Sequence, residues 1–239
     1  MKILAIEGSS QVASVAVLTD DIVTAEYTLN HKITHSQTLM PMIDEIVKMT
    51  ETDLGTIDAI AVSGGPGSFT GLRIGSATGK GLAQALNIPI VHVPTLDAMA
   101  YNAWGFDGII CPIMDARRSQ VYTGIYAFKN GAFEVLMPNS AMAIEELIAT
   151  VKEYNLPVLF IGDGIPVFRD VIKDKIGATA HFAPANMNRQ RAASVAVLGG
   201  EYFRAQKIVP AAEHLPEYLR TSQAEREREA KLLKENNGD

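Results

Sequence analysis

Glycine, proline and hydroxyl residues are concentrated in residues 64–75, whose sequence is GGPGSFTGLRIG. This stretch follows an apolar run at 59–62 and leads into a helical pattern that lasts to about Leu86. A strand, a glycine-rich turn and a helix start point several backbone N–H groups at one place, which suggests a phosphate site. However, Leu72-Arg73 stands where a P-loop has Lys-Ser/Thr, and no ribose-binding acid follows at the dinucleotide spacing.

A second group of candidate residues is Glu7-Gly8-Ser9-Ser10, which follows the apolar run at the start of the chain. A carboxylate beside a glycine and two hydroxyls could hold Mg²⁺ or a phosphate. An ordinary β-turn accounts for the same residues equally well. Both interpretations stay open at the level of sequence.

His31 and His35 have the i, i+4 spacing of a zinc pair on a helix. Thr34 and Gln37 form a capping-box pair, which predicts that the helix begins after His31 and favours a solvated loop over a metal site. The single cysteine, Cys111, lies in an apolar run, so no disulfide framework or cysteine-based zinc site is expected.

Two predicted helices carry more apolar or small surface than one sheet requires. The helix at about 36–49 is apolar over half its circumference, and the next helix repeats a small residue every fourth position. Interior glycines cost about 1 kcal/mol each, which close approach by a strand, a helix or a ligand would offset. Deeper burial in the chain's own fold is an equally good explanation for the first helix. The candidate partner interface consists of Leu39, Met42, Ile43, Ile46, Gly71, Arg73, Gly75, Gly79 and Ala83.

The order of the predicted elements indicates a duplication. Each half has three strands followed by alternating helices and strands, which predicts an α/β fold of two repeated units with mixed sheets. We expect units at 1–104 and 105–220, with a helix at about 191–206 packing back on the first, and a charged, frayed or unstructured tail at 221–239. The predicted strands are 2–6, 12–18, 22–29, 57–63, 90–93, 109–115, 121–128, 132–136 and 158–161, and the other helices are about 71–86, 95–104, 143–154 and 166–176.

This organisation resembles the actin, sugar kinase and Hsp70 ATPase superfamily. The resemblance implies ATP binding by an acidic hairpin turn from each half and by a glycine pair. The positions that match are Gly162-Asp163-Gly164 and the weak candidate nucleotide contacts Glu7, Ser9, Gly67 and Asp115. Asp115-Ala116-Arg117 lacks the usual glycine, and the Gly162 turn is short and contains an acid, so an independent ATP site looks degraded.

Composition excludes several classes of function. The 239 residues are 47% hydrophobic with a net charge of −6 and no basic block, which disfavours direct nucleic-acid binding. The first residues reach Glu7 and Gly8 too soon for a typical signal peptide, and no apolar run approaches about 20 residues, so we expect a soluble cytoplasmic protein without membrane contact.

The glycine stretch is also similar to the hallmark of the TsaB (YeaZ) family of tRNA N6-threonylcarbamoyladenosine (t6A) biosynthesis. Supporting matches are Ile3–Ile6, His35-Ser36 with 39–43, Asp115–Arg118 with Val121-Tyr122, and Pro216 with 218–220. One departure is Glu7-Gly8, where the family usually has Asp-Thr. The related TsaD enzymes have a paired-histidine metal motif where this chain keeps only His92.

The resemblance implies an accessory subunit without catalytic residues or a metal. Its expected partners are a TsaD-like transferase and a TsaE-like ATPase; alone it would form a homodimer through the same helices. It would meet tRNA only through the complex and hold no tight cofactor, with ATP or ADP bound only together with the partner. We expect Ile43→Arg or Gly75→Leu to weaken TsaD binding and leave the monomer folded. The alternatives are a stand-alone ATP-binding enzyme of the actin-like superfamily and an M22-type metallopeptidase.

Overall fold

The computed structural model describes residues 1–220, and the tail at 221–239 lies outside the described residues. Within residues 1–220 the chain forms two five-stranded sheets, each with helices beside it. The strands of the first sheet lie between Lys2 and Pro94, and those of the second between Ile109 and Phe182. The Gly105–Gly108 segment therefore lies, in sequence, between the strands of the first sheet and those of the second.

The first sheet has the strand order β3-β2-β1-β4-β5. Strand β1 pairs antiparallel with β2 and parallel with β4, and β4 pairs parallel with β5. The elements of this unit are β1 (Lys2–Glu7), β2 (Val12–Thr19), β3 (Ile22–Asn30), α1 (His35–Met49), β4 (Ala59–Gly65), α2 (Phe69–Leu86), β5 (Ile90–Pro94) and α3 (Thr95–Tyr101).

The second sheet repeats this arrangement, in the order β8-β7-β6-β9-β10. Its central strand β6 is again antiparallel to the next strand along the chain and parallel to the one after the crossover helix. The fold is therefore the duplicated actin-like α/β architecture, and the predicted fold class is confirmed. The elements are β6 (Ile109–Asp115), β7 (Gln120–Lys129), β8 (Ala132–Ala143), α4 (Ile144–Glu153), β9 (Val158–Ile161), α5 (Ile165–Ile176), β10 (Ala180–Phe182) and α6 (Ala192–Arg204).

Strand alternation divides the core of the first unit between two faces of its sheet. Leu4 and Ile6 pack with α1 and α2, whereas Ile3 and Ala5 point to the opposite face and pack with α6. The helix at 192–204 thus covers the first sheet although it follows the second in sequence. No helix in residues 1–220 is long and apolar enough to cross a membrane.

Three local predictions need correction. Strand β8 continues to Ala143 rather than ending at Leu136, because it is an edge strand, where Pro138 removes no ladder hydrogen bond to a further neighbour. Strand β10 was not predicted, since three residues are too few to show an alternating pattern. Thr34 is the N-cap of α1, but its side chain makes no capping hydrogen bond, so the expected capping box does not form.

Candidate functional site

The turn after β1 buries its own carboxylate. Glu7 is 1% exposed, and its Oε1 accepts hydrogen bonds from the Ser9 amide at 2.6 Å and from Ser9 Oγ at 2.5 Å. Burial raises the pKa of Glu7, while the bonds from Ser9 act in the opposite direction. Glu7 therefore supports the turn from inside, and it does not line the cleft described below.

The glycine-rich loop between β4 and α2 packs directly on this turn. The Ser68 amide donates to the Ser9 carbonyl at 2.6 Å, and a Cβ on Gly67 would lie 2.2 Å from that carbonyl oxygen. A Cβ on Gly71 would lie 2.2 Å from the Gly8 carbonyl oxygen. These two glycines are required because two backbones meet inside the chain, and this use competes with the cradling of a phosphate.

The equivalent turn of the second unit is open. Asp115 Oδ1 accepts from the Arg117 amide at 2.8 Å, and Asp115 Oδ2 lies 3.7 Å from Arg117 Nη1. The Asp115 side chain is 22% exposed and that of Arg117 is 87% exposed. Arg117, Arg118 and Ser119 all have positive φ, so the turn has an unusual backbone without any glycine.

A further carboxylate follows β9, at Asp163. Burial raises the pKa of Asp163 to about 6, and the charge of Arg189 opposes that shift. Its Oδ1 is buried and has no hydrogen-bond partner among the described residues. Arg189 instead donates to the Gly162 carbonyl at 3.0 Å.

These two units enclose a cleft of about 510 Å³. Three of the four candidate nucleotide contacts, Ser9, Gly67 and Asp115, line it together with Asp163, whereas Glu7 does not. The first unit thus adds hydroxyls and backbone to the cleft, and the acidic residues that line it are Asp115 and Asp163 of the second unit and Glu217 near the end of the described chain. The lining residues are Ser9, Ser10, Gln11, Pro66, Gly67, Ser68, Phe69, Met114, Asp115, Ala116, Arg117, Tyr122, Asp163, Glu217, Tyr218, Leu219 and Arg220.

The Mg²⁺-nucleotide set implied by the superfamily does not fit these residues. It needs an acidic turn from each half, yet Glu7 is 1% exposed, its Oε1 accepts both hydrogen bonds from Ser9, and it does not line the cleft. No group of three His, Cys, Asp or Glu side chains in residues 1–220 is arranged to bind a metal ion. The weak assignment of Glu7 as a direct nucleotide contact is therefore corrected, because its side chain points into the protein.

Residues 208–220, which we call the strap, return from α6 to both units and complete the cleft. Val209 pairs with Ile90, and the Glu217 amide donates to the Gly64 carbonyl at 2.7 Å. The Tyr218 and Phe69 rings lie 4.7 Å apart. The sequence pattern did not predict the strap, because it contains no periodic segment.

The strap also places His214 in a buried cluster. His214 Nδ1 lies 2.9 Å from Ser76 Oγ, and its ring lies 5.3 Å from that of His92. Burial, reinforced by His92 and Lys80, lowers the pKa of His214 to about 4. Burial also lowers the pKa of His92, against the charge of Glu217. Both rings are therefore neutral at pH 7.

Seven of the nine proposed interface residues are buried inside the chain. The small stripe of α2 faces its own sheet: a Cβ on Gly79 would lie 2.6 Å from Val62 Cγ2, and one on Gly75 would contact Ile6. The burial of these seven residues inside the chain corrects the prediction that they contact a partner. The buried residues are Leu39, Ile43, Ile46, Gly71, Gly75, Gly79 and Ala83.

The other two proposed interface residues are accessible. Arg73 is exposed, with its guanidinium carbon 4.1 Å from the centre of the Phe69 ring, and Met42 is half-buried. Because Ile43 is 3% exposed and Gly75 is buried, Ile43→Arg and Gly75→Leu would damage the core. Neither variant can separate partner binding from folding.

His31 and His35 do not share an environment. His35 begins α1, is buried, and places Nε2 2.7 Å from the Ser10 carbonyl oxygen, whereas His31 lies in the exposed loop before the helix. The expectation of a solvated loop holds for His31 and is wrong for His35, which supports the turn after β1. The sequence signal that could have indicated this role is the predicted start of α1. His35 lies at this helix start and faces the turn after β1.

Two repeated units around a polar cleft define a protein of the actin-like superfamily. A family model of the tRNA N6-adenosine threonylcarbamoyltransferase TsaD matches residues 23–228. The tRNA threonylcarbamoyladenosine biosynthesis protein TsaB of Bacillus subtilis is 37% identical over 225 residues, covering 94% of this chain and 96% of the relative. The chain belongs to the TsaB family, as its glycine motif predicts.

Two further matches agree with this family. TsaB of Escherichia coli is 39% identical over 128 residues, which are 53% of this chain and 55% of the relative. The solved structure of YeaZ from Pseudomonas aeruginosa superposes with a TM-score of 0.78 at 25% identity, covering 91% of this chain and 99% of that chain. The similarity to YeaZ therefore extends over both units.

Proposed function

We propose that this chain is a non-catalytic subunit of the t6A synthesis complex. It binds a TsaD-like transferase and supports threonylcarbamoyl transfer to the tRNA adenosine next to the anticodon. The relatives named for t6A biosynthesis support the process, and the match to the TsaD model supports a partner of similar architecture.

The buried state of Glu7 carries the non-catalytic part of this proposal. A superfamily member that turns over a nucleotide on its own needs an acidic group from each half at the cleft. Here Glu7, the acidic residue of the first half, is 1% exposed, and its Oε1 accepts two hydrogen bonds from Ser9. A nucleotide would therefore be held only when the partner supplies groups that this chain lacks.

The outer face of α2 is the best surface for the transferase. Residues at every fourth position, Arg73, Ala77, Gly81 and Ala85, are exposed and lie on one side of the helix. Met40 of the neighbouring helix α1 is 49% exposed. Small residues allow a partner helix to come close, while an arginine and a methionine at the rim provide adaptable contacts.

Gly81 is the most informative residue of this face. A Cβ placed there would meet no atom within 4 Å, so the chain's own packing does not require glycine at this position. An interior helical glycine costs about 1 kcal/mol relative to alanine. Close approach of a partner helix offsets that cost, and a second copy of this chain would use the same face when the transferase is absent.

The remaining components enter through the complex. The net charge of −6 and the absence of a basic block leave little attraction for a tRNA backbone, so tRNA is reached through the partner. A TsaE-like ATPase supplies the nucleotide hydrolysis for which this chain has no complete site.

Reconstitution tests the proposed function directly. The TsaD-like transferase and the TsaE-like ATPase are assayed for tRNA modification with and without this chain. Modification should require the chain, and the chain alone should modify no tRNA. Full modification without it, or modification by the chain alone, would overturn the proposal.

A matched pair of variants tests the docking face. Gly81→Leu adds a bulky side chain to the outer face of α2, and Ala149→Leu adds one to an exposed position of α4 in the second unit. Gly81→Leu should weaken binding to the transferase by about a hundredfold through steric exclusion, with Ala149→Leu unchanged. Equal affinities for the two folded variants would place the partner elsewhere.

The stand-alone ATP-binding enzyme is the second candidate function. The observation in its favour is the 510 Å³ cleft with Asp115 and Asp163 on its wall. Micromolar ATP binding and turnover by the purified chain alone would favour that function. For the M22-type metallopeptidase, the described residues offer no favourable observation.

A further inference from the structure

A second concave site lies away from the cleft, between the end of α3, the start of β8 and α6. It is a groove of about 410 Å³, and none of its lining residues lines the cleft. We call it the aromatic groove, and its six principal residues are Tyr101, Trp104, Phe133, Glu201, Tyr202 and Lys207.

Ring packing prepares a flat, open surface in this groove. Trp104 is 57% exposed, yet its indole rests on Phe128 with the ring centres 4.7 Å apart. Tyr101 lies 6.0 Å from Trp104 and meets the Phe133 ring edge-on at 5.4 Å. Because neighbouring rings support one side of Trp104, its exposed surface is preformed for stacking.

One wall of the groove presents a carboxylate. The Tyr101 hydroxyl donates to Glu201 Oε1 at 2.6 Å, and burial together with this carboxylate raises the pKa of Tyr101. No lysine or arginine nitrogen of residues 1–220 lies within 4 Å of the Glu201 carboxylate. Glu201 is therefore a hydrogen-bond acceptor whose charge no described ion pair neutralises.

The opposite charge is close by, on Lys207. Its Nζ lies 4.7 Å from the centre of the Tyr202 ring, which holds the ammonium near the groove. The Tyr202 hydroxyl in turn donates to the buried Asp97 at 3.3 Å. The Lys207 ammonium therefore lies over a ring that a hydrogen bond holds in place. It could leave this ring to bind an anionic group.

We propose that the aromatic groove binds a nucleotide whose base stacks on Trp104, with its exocyclic amino group on Glu201 and its phosphate on Lys207. Base stacking on an exposed aromatic ring is a general mode of nucleotide binding. A carboxylate accepts hydrogen bonds from amino groups such as those of adenine and cytosine, and a lysine binds phosphate. Lys207 would repel a simple cation, and an apolar ligand would offer no hydrogen-bond donor to Glu201.

The ligand is a free nucleotide or an unstacked nucleotide of single-stranded RNA, which share this chemistry. The inference does not depend on the proposed role in t6A synthesis, because the groove shares no residue with the cleft or with the outer face of α2. Of the two sources, only RNA would bear on the proposed function, because it would give this chain an RNA contact of its own.

Trp104 provides a specific reporter, since it is the only tryptophan of the chain. The full chain is titrated with AMP, with adenosine hexanucleotide RNA and with ribose 5-phosphate, and tryptophan fluorescence is followed. AMP or the RNA should quench the emission saturably, and ribose 5-phosphate, which has no base, should not. RNA binding about tenfold tighter than AMP identifies RNA as the source, and equal affinities identify the free nucleotide.

Charge variants complete the test. Glu201→Gln and Lys207→Gln should each weaken binding about tenfold, since each removes one charge-assisted hydrogen bond. The matched exposed variants Glu146→Gln and Lys152→Gln in α4 should bind as the unmodified chain does. The proposal is overturned if neither AMP nor RNA quenches the fluorescence saturably, or if both groove variants bind these ligands as the unmodified chain does. Methylguanidinium is the probe for a simple organic cation, and quenching by it but not by AMP would also overturn the proposal.

Discussion

The turns after β1 and β6 occupy equivalent positions in the two units but differ in burial. In the first unit Glu7 is 1% exposed and holds both polar groups of Ser9. In the second, Asp115 is 22% exposed and Arg117 extends outward at 87% exposure. The glycine-rich loop packs on the first turn, whereas in the second turn Asp115 and Arg117 line the cleft.

This difference shows that the same topology can be used for two purposes. In the first unit, internal packing involves the acidic hairpin, the glycine-rich loop and the row of small residues on α2. The second unit retains exposed polar groups, and the strap joins both units across the cleft. Four predictions test this division, beginning with the largest expected effect.

Replacing the two turn carboxylates should give the largest contrast. Glu7→Leu leaves the Ser9 amide and hydroxyl buried without an acceptor and should lower the free energy of unfolding by at least about 3 kcal/mol. Asp115→Leu removes a hydrogen bond and an ion pair with the solvent-exposed Arg117 and should lower it by less than about 1 kcal/mol. Urea unfolding of the two variants measures this, and equal losses would contradict the comparison.

Asp163 should destabilise the protein as the pH rises. Its pKa is raised from 3.8 to about 6, so its neutral form suits the fold, and that stability is present below pH 3.8 and lost as the pH rises to about 6. Between pH 4 and 7 the chain should lose about 2 kcal/mol that Asp163→Asn keeps. The measurement is urea unfolding of both proteins at the two pH values. Parallel pH profiles would show that Asp163 is not desolvated.

His214 should have the opposite pH dependence. Its pKa is lowered from 6.5 to about 4, so the stability that it contributes as a neutral ring is present above pH 6.5 and lost as the pH falls to about 4. Between pH 7 and 4.5 the chain should lose about 1 kcal/mol more than His214→Gln, after allowance for solvent screening. Thermal unfolding at both pH values measures the loss, and a larger loss in His214→Gln would show that the buried ring does not favour its neutral form.

The smallest effect concerns the outer face of α2, the part of the first unit that stays exposed. Gly81→Ala should raise the free energy of unfolding by up to about 1 kcal/mol, since the position has open space and helical geometry. Gly79→Ala on the inner face should lower it, because its Cβ would lie 2.6 Å from Val62. Chemical unfolding of both variants tests this. A higher free energy of unfolding in both would show that the inner face can accommodate a methyl group.

Most of the fold could be predicted from the sequence, and the candidate site only in part. The strands, the helices and their repetition follow from local periodicity, which is strong in buried runs such as β1 and β4. Ser9, Gly67 and Asp115 do meet at one cleft, but the strap and the inward direction of Glu7 were missed. Those features depend on contacts between distant residues, such as His214 with Ser76 and Glu217 with Gly64.

The amino-acid sequence alone was enough to predict the duplicated architecture, the family and the row of small residues on α2. Helical spacing shows that Gly71, Gly75 and Gly79 share a face, but it says nothing about what covers that face. The folded chain shows that its own sheet and first turn cover this face, and that Gly81 lies on the opposite, open side. The physical reason is that a glycine inside a helix indicates that another group comes close to the helix backbone. The packing of segments far apart in the chain decides which group that is.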